Sequence, residues 1–177
     1  SLTNSSNENI PDGVSTSNAG TAVSSVTFSG IPSGSTITNV VYETDVYHTY
    51  HNDLGARIST NYDGTSYPST LLYSAGSQGA YTGILRKDGS THIFDGYDPN
   101  KTFYFRVWDS ASGDTGYIDY FKITVHYTTP NPNAPTGVSA TAQSSSSIYI
   151  TWNTVWGANQ YRFFRSTSYS GRYSQIY

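Results

Sequence analysis

The sequence predicts an all-β fold, an antiparallel sandwich followed by the start of a second β unit, and three observations carry that expectation. Charged residues are only 12% of the 177-residue chain, while Gly and Tyr are abundant at 16 and 17, a balance that favours short strands joined by polar turns over helices. Apolar residues recur at every second position in several segments, and no stretch sustains a helical apolar period. Turn-forming groups such as Gly30-Ile31-Pro32-Ser33-Gly34 separate these segments.

Taken in order, residues 1–9 are polar and read as a mobile tail. Val23 to Phe28 reads as a short strand. From Ile37 to His48, Val40, Tyr42, Thr44, Val46 and His48 share one face, and Val41, Glu43, Asp45 and Tyr47 share the other. This is the pattern of a central strand. Leu54, Ala56 and Ile58 repeat the alternation with Arg57 and Ser59 facing outward, before a hairpin-type turn at Asp63-Gly64. Residues 74–83 read as a long loop, and Asp95-Gly96 and Asp98-Pro99-Asn100 as reversals. Phe103, Phe105 and Val107 alternate with Tyr104, Arg106 and Trp108. A polar turn over residues 110–116 leads to a last strand with Phe121, Ile123, Val125 and Tyr127 on one face and Lys122, Thr124 and His126 on the other.

The Pro-rich segment 128–135 has no apolar side chain larger than Ala and reads as an exposed, semi-stiff linker. It divides a sandwich over residues 1–128, with the linker proper at 129–135, from a second unit over 136–177. There Ile148, Ile150 and Trp152 alternate with Tyr149 and Thr151, and Tyr161 to Arg165 begins another aromatic strand.

Several function classes recede on composition alone. A net charge of -3, with no Lys/Arg cluster, lacks the electrostatic footprint of a nucleic-acid partner. Zero Cys removes disulfide, thiolate-metal and cysteine-nucleophile chemistry. No apolar run approaches the roughly 20 residues that a membrane-spanning helix needs, so membrane insertion is not expected.

Three stretches of the first unit resemble the P-domain that follows the catalytic domain of proprotein convertases and of many secreted bacterial proteases. They are Ile10-Pro11-Asp12; His48-Thr49-Tyr50-His51-Asn52-Asp53-Leu54, with Asn52 where Gly is usual; and Phe94-Asp95-Gly96-Tyr97-Asp98-Pro99-Asn100 through Arg106-Val107-Trp108-Asp109 to Gly113-Asp114-Thr115-Gly116. Order and spacing agree over roughly residues 10–128. The resemblance implies a jelly-roll-like antiparallel β-sandwich. Residues 133–177 are similar to the first strands of a fibronectin type III module, an immunoglobulin-like sandwich, with Trp152 as its buried aromatic and Tyr161 as the neighbour of Trp152. Such a module takes about 100 residues. The expectation is therefore an incomplete module, poorly stable as it stands, in a polypeptide that continues past Tyr177.

Candidate chemistry is sparse. Of His48, His51, His92 and His126, only the first two are close in sequence, and HTYH is no zinc-binding pattern; His48 reads as a strand-end residue bonded to its neighbours, and no catalytic residues are assigned. Asp53, Asp109 and Asp114 lie in the P-domain-like loops, and the resemblance implies Ca²⁺ there, an ion that takes hard oxygen ligands. The same carboxylates serve equally well as caps of their own Asx-turns, and nothing in the sequence separates the two. Glu43 and Asp45, on one strand face, read either as solvated surface or as an auxiliary ligand pair. Tyr62, Tyr67, Tyr73, Tyr81 and Tyr97 sit in or near loops, where they are either a stacking platform for a sugar or ordinary exposed residues.

The expected function is that of a non-enzymatic accessory module of a secreted or cell-surface, bacterial-type protein, partnered by a neighbouring domain of the same polypeptide such as a subtilisin-like protease. Two alternatives stand beside it: a polysaccharide-binding module of an extracellular glycosidase, and a structural segment of a surface adhesin.

Overall fold

A computed structural model describes residues 1–176. The chain divides into two compact units, Ser1–Thr128 and Thr129–Tyr177. Among the described residues no helix is long and apolar enough to cross a membrane.

The first unit is an all-β sandwich of nine strands: β1 (Leu2–Asn4), β2 (Glu8–Ile10), β3 (Gly20–Thr27), β4 (Thr36–His48), β5 (Leu54–Ser59), β6 (Ser69–Tyr73), β7 (Gly83–Thr91), β8 (Thr102–Asp109) and β9 (Gly116–Thr128). One antiparallel sheet runs β1–β9–β4–β7 with β2 also on β9, and the other runs β3–β8–β5–β6. With β1 and β2 taken as two pieces of one edge strand, every connection crosses to the opposite sheet except the β5–β6 hairpin. That winding is a jelly roll.

Alternation explains the core. Val40, Val46 and Ile123 of one sheet, and Ala56, Ile58, Phe103, Phe105 and Val107 of the other, are all fully buried. Phe105 stacks on Phe121 with ring centroids 5.3 Å apart, which locks the two sheets face to face. Phe103 receives Phe94 edge-on at 5.3 Å and closes the opposite part of the core.

The fold departs from the sequence pattern at three places. The polar N-terminal stretch is not a tail: Leu2–Asn4 pairs with Ile123–Phe121 and Glu8–Ile10 with Ile118–Gly116. An edge strand needs backbone pairing more than an apolar face, so composition does not reveal it. Ser59 is buried rather than outward, because the β5–β6 connection folds back and the Asn61 amide donates to Ser59 Oγ at 2.9 Å. The Asp63-Gly64 turn is part of that connection and closes with the Gly64 amide donating to the Asn61 carbonyl at 3.0 Å. In β9, a register shift opposite Asp45 and Val46 lets Ile118 and Phe121 both point inward although they stand three positions apart.

The second unit contains two short hairpins, β10 (Ser139–Ala142) with β11 (Ile148–Thr151) and β12 (Phe164–Arg165) with β13 (Ser174–Gln175). Trp152 contacts both Tyr161 and Phe163 at ring-centroid distances of 5.1 Å, so Trp152 and Tyr161 meet, but Trp152 is half-buried and not the buried aromatic expected. The expected strand from Tyr161 shrinks to Phe164–Arg165, and all residues of the four strands are exposed.

Candidate functional site: a polar clasp at one end of the sandwich

Strand register brings three separated loops together. His48, the last residue of β4, pairs with Gly116, the first of β9. Ile10, the last of β2, pairs with the same Gly116. Asp109, the last of β8, pairs with Leu54 at the start of β5 and with Gly20 at the start of β3. The segments 11–13, 49–53 and 110–115 therefore all leave the sheets at one end.

His48 and Asp109 form the floor, both with fully buried side chains and with Nε2 3.6 Å from Oδ2. At that distance the contact is electrostatic and too long for a hydrogen bond, and Nε2 has no hydrogen-bond partner. The other ring nitrogen lies 2.9 Å from the Tyr50 carbonyl oxygen and 3.2 Å from the Tyr50 amide. Asp109 accepts from the Gly13 amide through Oδ2 and from the Ala111 amide through Oδ1, each at 3.2 Å. Gly116 is required here: a Cβ at that position would sit 2.3 Å from the His48 ring and 2.4 Å from the Tyr47 carbonyl.

Above this floor the loops are stitched to one another. Asp12 accepts from the Gly113 amide at 2.9 Å. Thr49 Oγ1 donates to Asp114 Oδ1 at 3.0 Å and accepts from the Thr115 amide at 2.9 Å. The Ser110 hydroxyl donates to the Asp53 carbonyl at 2.8 Å. His51 is buried too, with Nε2 2.8 Å from the Gly83 carbonyl.

The three Asp singled out in the sequence do meet electrostatically. The Asp53 carboxyl is pushed above the usual carboxylate range, first by burial and then by the charges of Asp109 and Asp114, with His48 acting in the opposite sense. Mutual repulsion of this kind is what a divalent cation relieves, and oxygen donors suit Ca²⁺. The fit is uneven: Asp53 and Asp114 lie in the loops, whereas Asp109 turns its oxygens onto backbone amides as an Asx-type cap. Among the described residues no three His, Asp or Glu side chains converge into a ready metal cage. Asp12, Gly13 and Thr49 belong to the clasp but were not singled out by residue type. Their signal was position, since Asp12 and Thr49 lie inside the first two motifs.

The other candidates separate. Glu43 and Asp45 are not a ligand pair: Glu43 accepts from Lys122 Nζ at 2.6 Å and Asp45 from Arg86 Nε at 2.8 Å. The five loop tyrosines do not form one platform. Tyr73 is buried in β6, where burial pushes its hydroxyl well above the usual phenol value. Tyr62 meets Tyr104 edge-on at 5.6 Å, and Tyr67 tilts over Tyr97 at 6.3 Å. No family model matches the chain, and no curated protein matches it.

Proposed function

We propose that residues 1–128 are a non-catalytic accessory module, P-domain-like, that packs on a neighbouring domain of the same secreted or surface polypeptide and stabilises it. The observation that carries this reading is the clasp: Ile10-Pro11-Asp12, His48–Leu54 and the Asp109–Gly116 part of the third stretch meet at one end of the sandwich, whereas Phe94–Asn100 lies at the other end beside Ile37. The polar groups of the clasp are directed at one another and at backbone, not at an open cleft. His48 and His51 are both buried and engage backbone carbonyls, which suits positioning of loops and not proton transfer to a substrate. Ca²⁺ held by Asp53, Asp109 and Asp114 would neutralise their repulsion and stiffen the loops that present the docking surface. The fibronectin type III-like unit that follows would be a second accessory module.

Thermal inactivation of the neighbouring catalytic domain, with residues 1–128 attached and with them removed, tests the reading. Faster inactivation on removal is expected. Unchanged inactivation, or a parent polypeptide with no catalytic domain, would contradict it.

A further inference from the structure

We infer that the outer face of the β3–β8–β5–β6 sheet is a binding platform for an acidic polysaccharide, a sugar chain that carries uronate carboxylates. The inference is independent of the accessory role. Because Phe103, Phe105 and Val107 fill the core from β8, and Ala56 and Ile58 from β5, the residues between them face outward: Tyr104, Arg106 and Trp108, with Gly55 and Arg57 beside them. Register sets Gly55 opposite Trp108 and Arg57 opposite Arg106.

Each of these two rows is unusual. A Cβ on Gly55 would lie 2.2 Å from two atoms of the Trp108 indole, so the ring lies down over bare backbone. It is half-buried, and the Arg57 guanidinium carbon is 5.8 Å from its centroid. In the next row two arginines stand directly across from each other, a like-charge arrangement that weakens a sheet. Neither makes an ion pair among the described residues. Arg57 donates to the Gly64 carbonyl at 3.3 Å. The carboxylate of Asp63, which Arg106 attracts through space, already accepts from Ser66 and Thr65.

The opposite sheet also sets like charges across strands, Glu43 opposite Asp88, but there a cation answers each acid of β4. There Asp45 faces Arg86 and Glu43 faces Lys122 across adjacent strands, and both pairs close. The Arg57–Arg106 row faces no carboxylate across the strands and has only Asp63 near it, through space, which leaves a place for an anion from outside. Guanidinium forks match carboxylates in paired hydrogen bonds, and a flat indole accepts the apolar face of a sugar ring. Tyr104, with Tyr62 edge-on beside it, continues the line at about 7 Å for each two residues of strand. Two arginines on a chain of net charge -3 are too few for the counterion-driven binding of nucleic acid.

The test is affinity electrophoresis of the full chain in gels containing polygalacturonate or, separately, neutral mannan. Retardation by polygalacturonate alone is expected. It should weaken at least about tenfold in Arg106→Gln, the scale of a lost charge-assisted hydrogen bond. It should vanish in Trp108→Ala and persist in part in Trp108→Tyr, which keeps a ring. If Trp108→Ala does not fold, Arg106→Gln and Trp108→Tyr decide, with melting temperature confirming that each is native. No retardation by polygalacturonate, or retardation unchanged in a folded Arg106→Gln, would overturn the proposal. So would poly-glutamate competing as well as oligogalacturonate, since the platform would then sense charge and not sugar.

Discussion

The two units draw on the same kinds of residue and reach opposite results. In Ser1–Thr128, alternating strands form two sheets that face each other, and Phe94, Phe103, Phe105 and Phe121 are completely buried. In the second unit the alternation is just as regular, yet Ile148 stays 67% exposed and Phe164 55%, because two hairpins present no second layer. Alternation makes a strand, but only a facing sheet makes a core. The first unit also has a clasp at one end that joins three loops through the buried Asp109 carboxylate and through more exposed contacts of Asp12, Thr49 and Asp114. These observations support an autonomous structural module in residues 1–128, closed at one end by the clasp.

Substitutions can break that contrast at several strengths. The largest effect is expected from Phe105→Ala, which empties the seam between the sheets and should cost about 3–5 kcal/mol in denaturant unfolding. Next comes Asp109→Ala, which strands the Gly13 and Ala111 amides beside a buried His48; a loss of about 2–4 kcal/mol is expected from thermal melts of the variant. Excess Ca²⁺ against EDTA is the corresponding test of the proposed ion. A site filled at about 100 times Kd adds roughly 2.7 kcal/mol, and superimposable melts would remove Ca²⁺ from the account.

A smaller, pH-dependent effect should come from Asp53. Its folded-state pKa lies above its unfolded value, so the folded protein holds that proton more tightly than the unfolded chain. Stability from this group is therefore greatest in acid and declines as pH rises from the ordinary carboxylate value through the raised one. In EDTA, Asp53→Asn should abolish that decline and melt higher than wild type at neutral pH; an unchanged pH profile would contradict the proximity of the three carboxylates. The smallest effect is expected from Ile150→Ala in the second unit, within about 0.5 kcal/mol, as for an exposed position.

Much of the sandwich was legible because burial has a period. Val40, Tyr42, Thr44, Val46 and His48 all turn out buried, as their alternation requires. Strands at the edges were not legible. In β7, Arg86, Lys87, Asp88 and Gly89 give no apolar alternation, since the strand is held by pairing with β4, and Ser69–Tyr73 is too short to show one. Nor can sequence show a bulge, which is why Ile118 and Phe121 share the core unannounced. At the clasp, Asp53, Asp109 and Asp114 could be picked out by motif and chemistry. Asp12 and Thr49 lie inside the motifs but are not distinguished by residue type, and Gly13 lies outside them, because their roles come from long-range contacts that exist only once β2, β4 and β8 end at the same place. The Arg57–Arg106 row was invisible for the same reason: neither residue is unusual until register sets them opposite.

Calorimetry of residues 1–176 beside residues 1–128 tests the autonomy of the module most directly. At about 0.7 kcal/mol per residue near 60 °C, a transition confined to the first unit should absorb on the order of 90 kcal/mol, at the same Tm in both proteins. A longer chain that absorbs closer to about 120 kcal/mol, or a Tm that drops by several degrees when residues after 128 are removed, would mean that the two units fold as one and that the module does not stand alone.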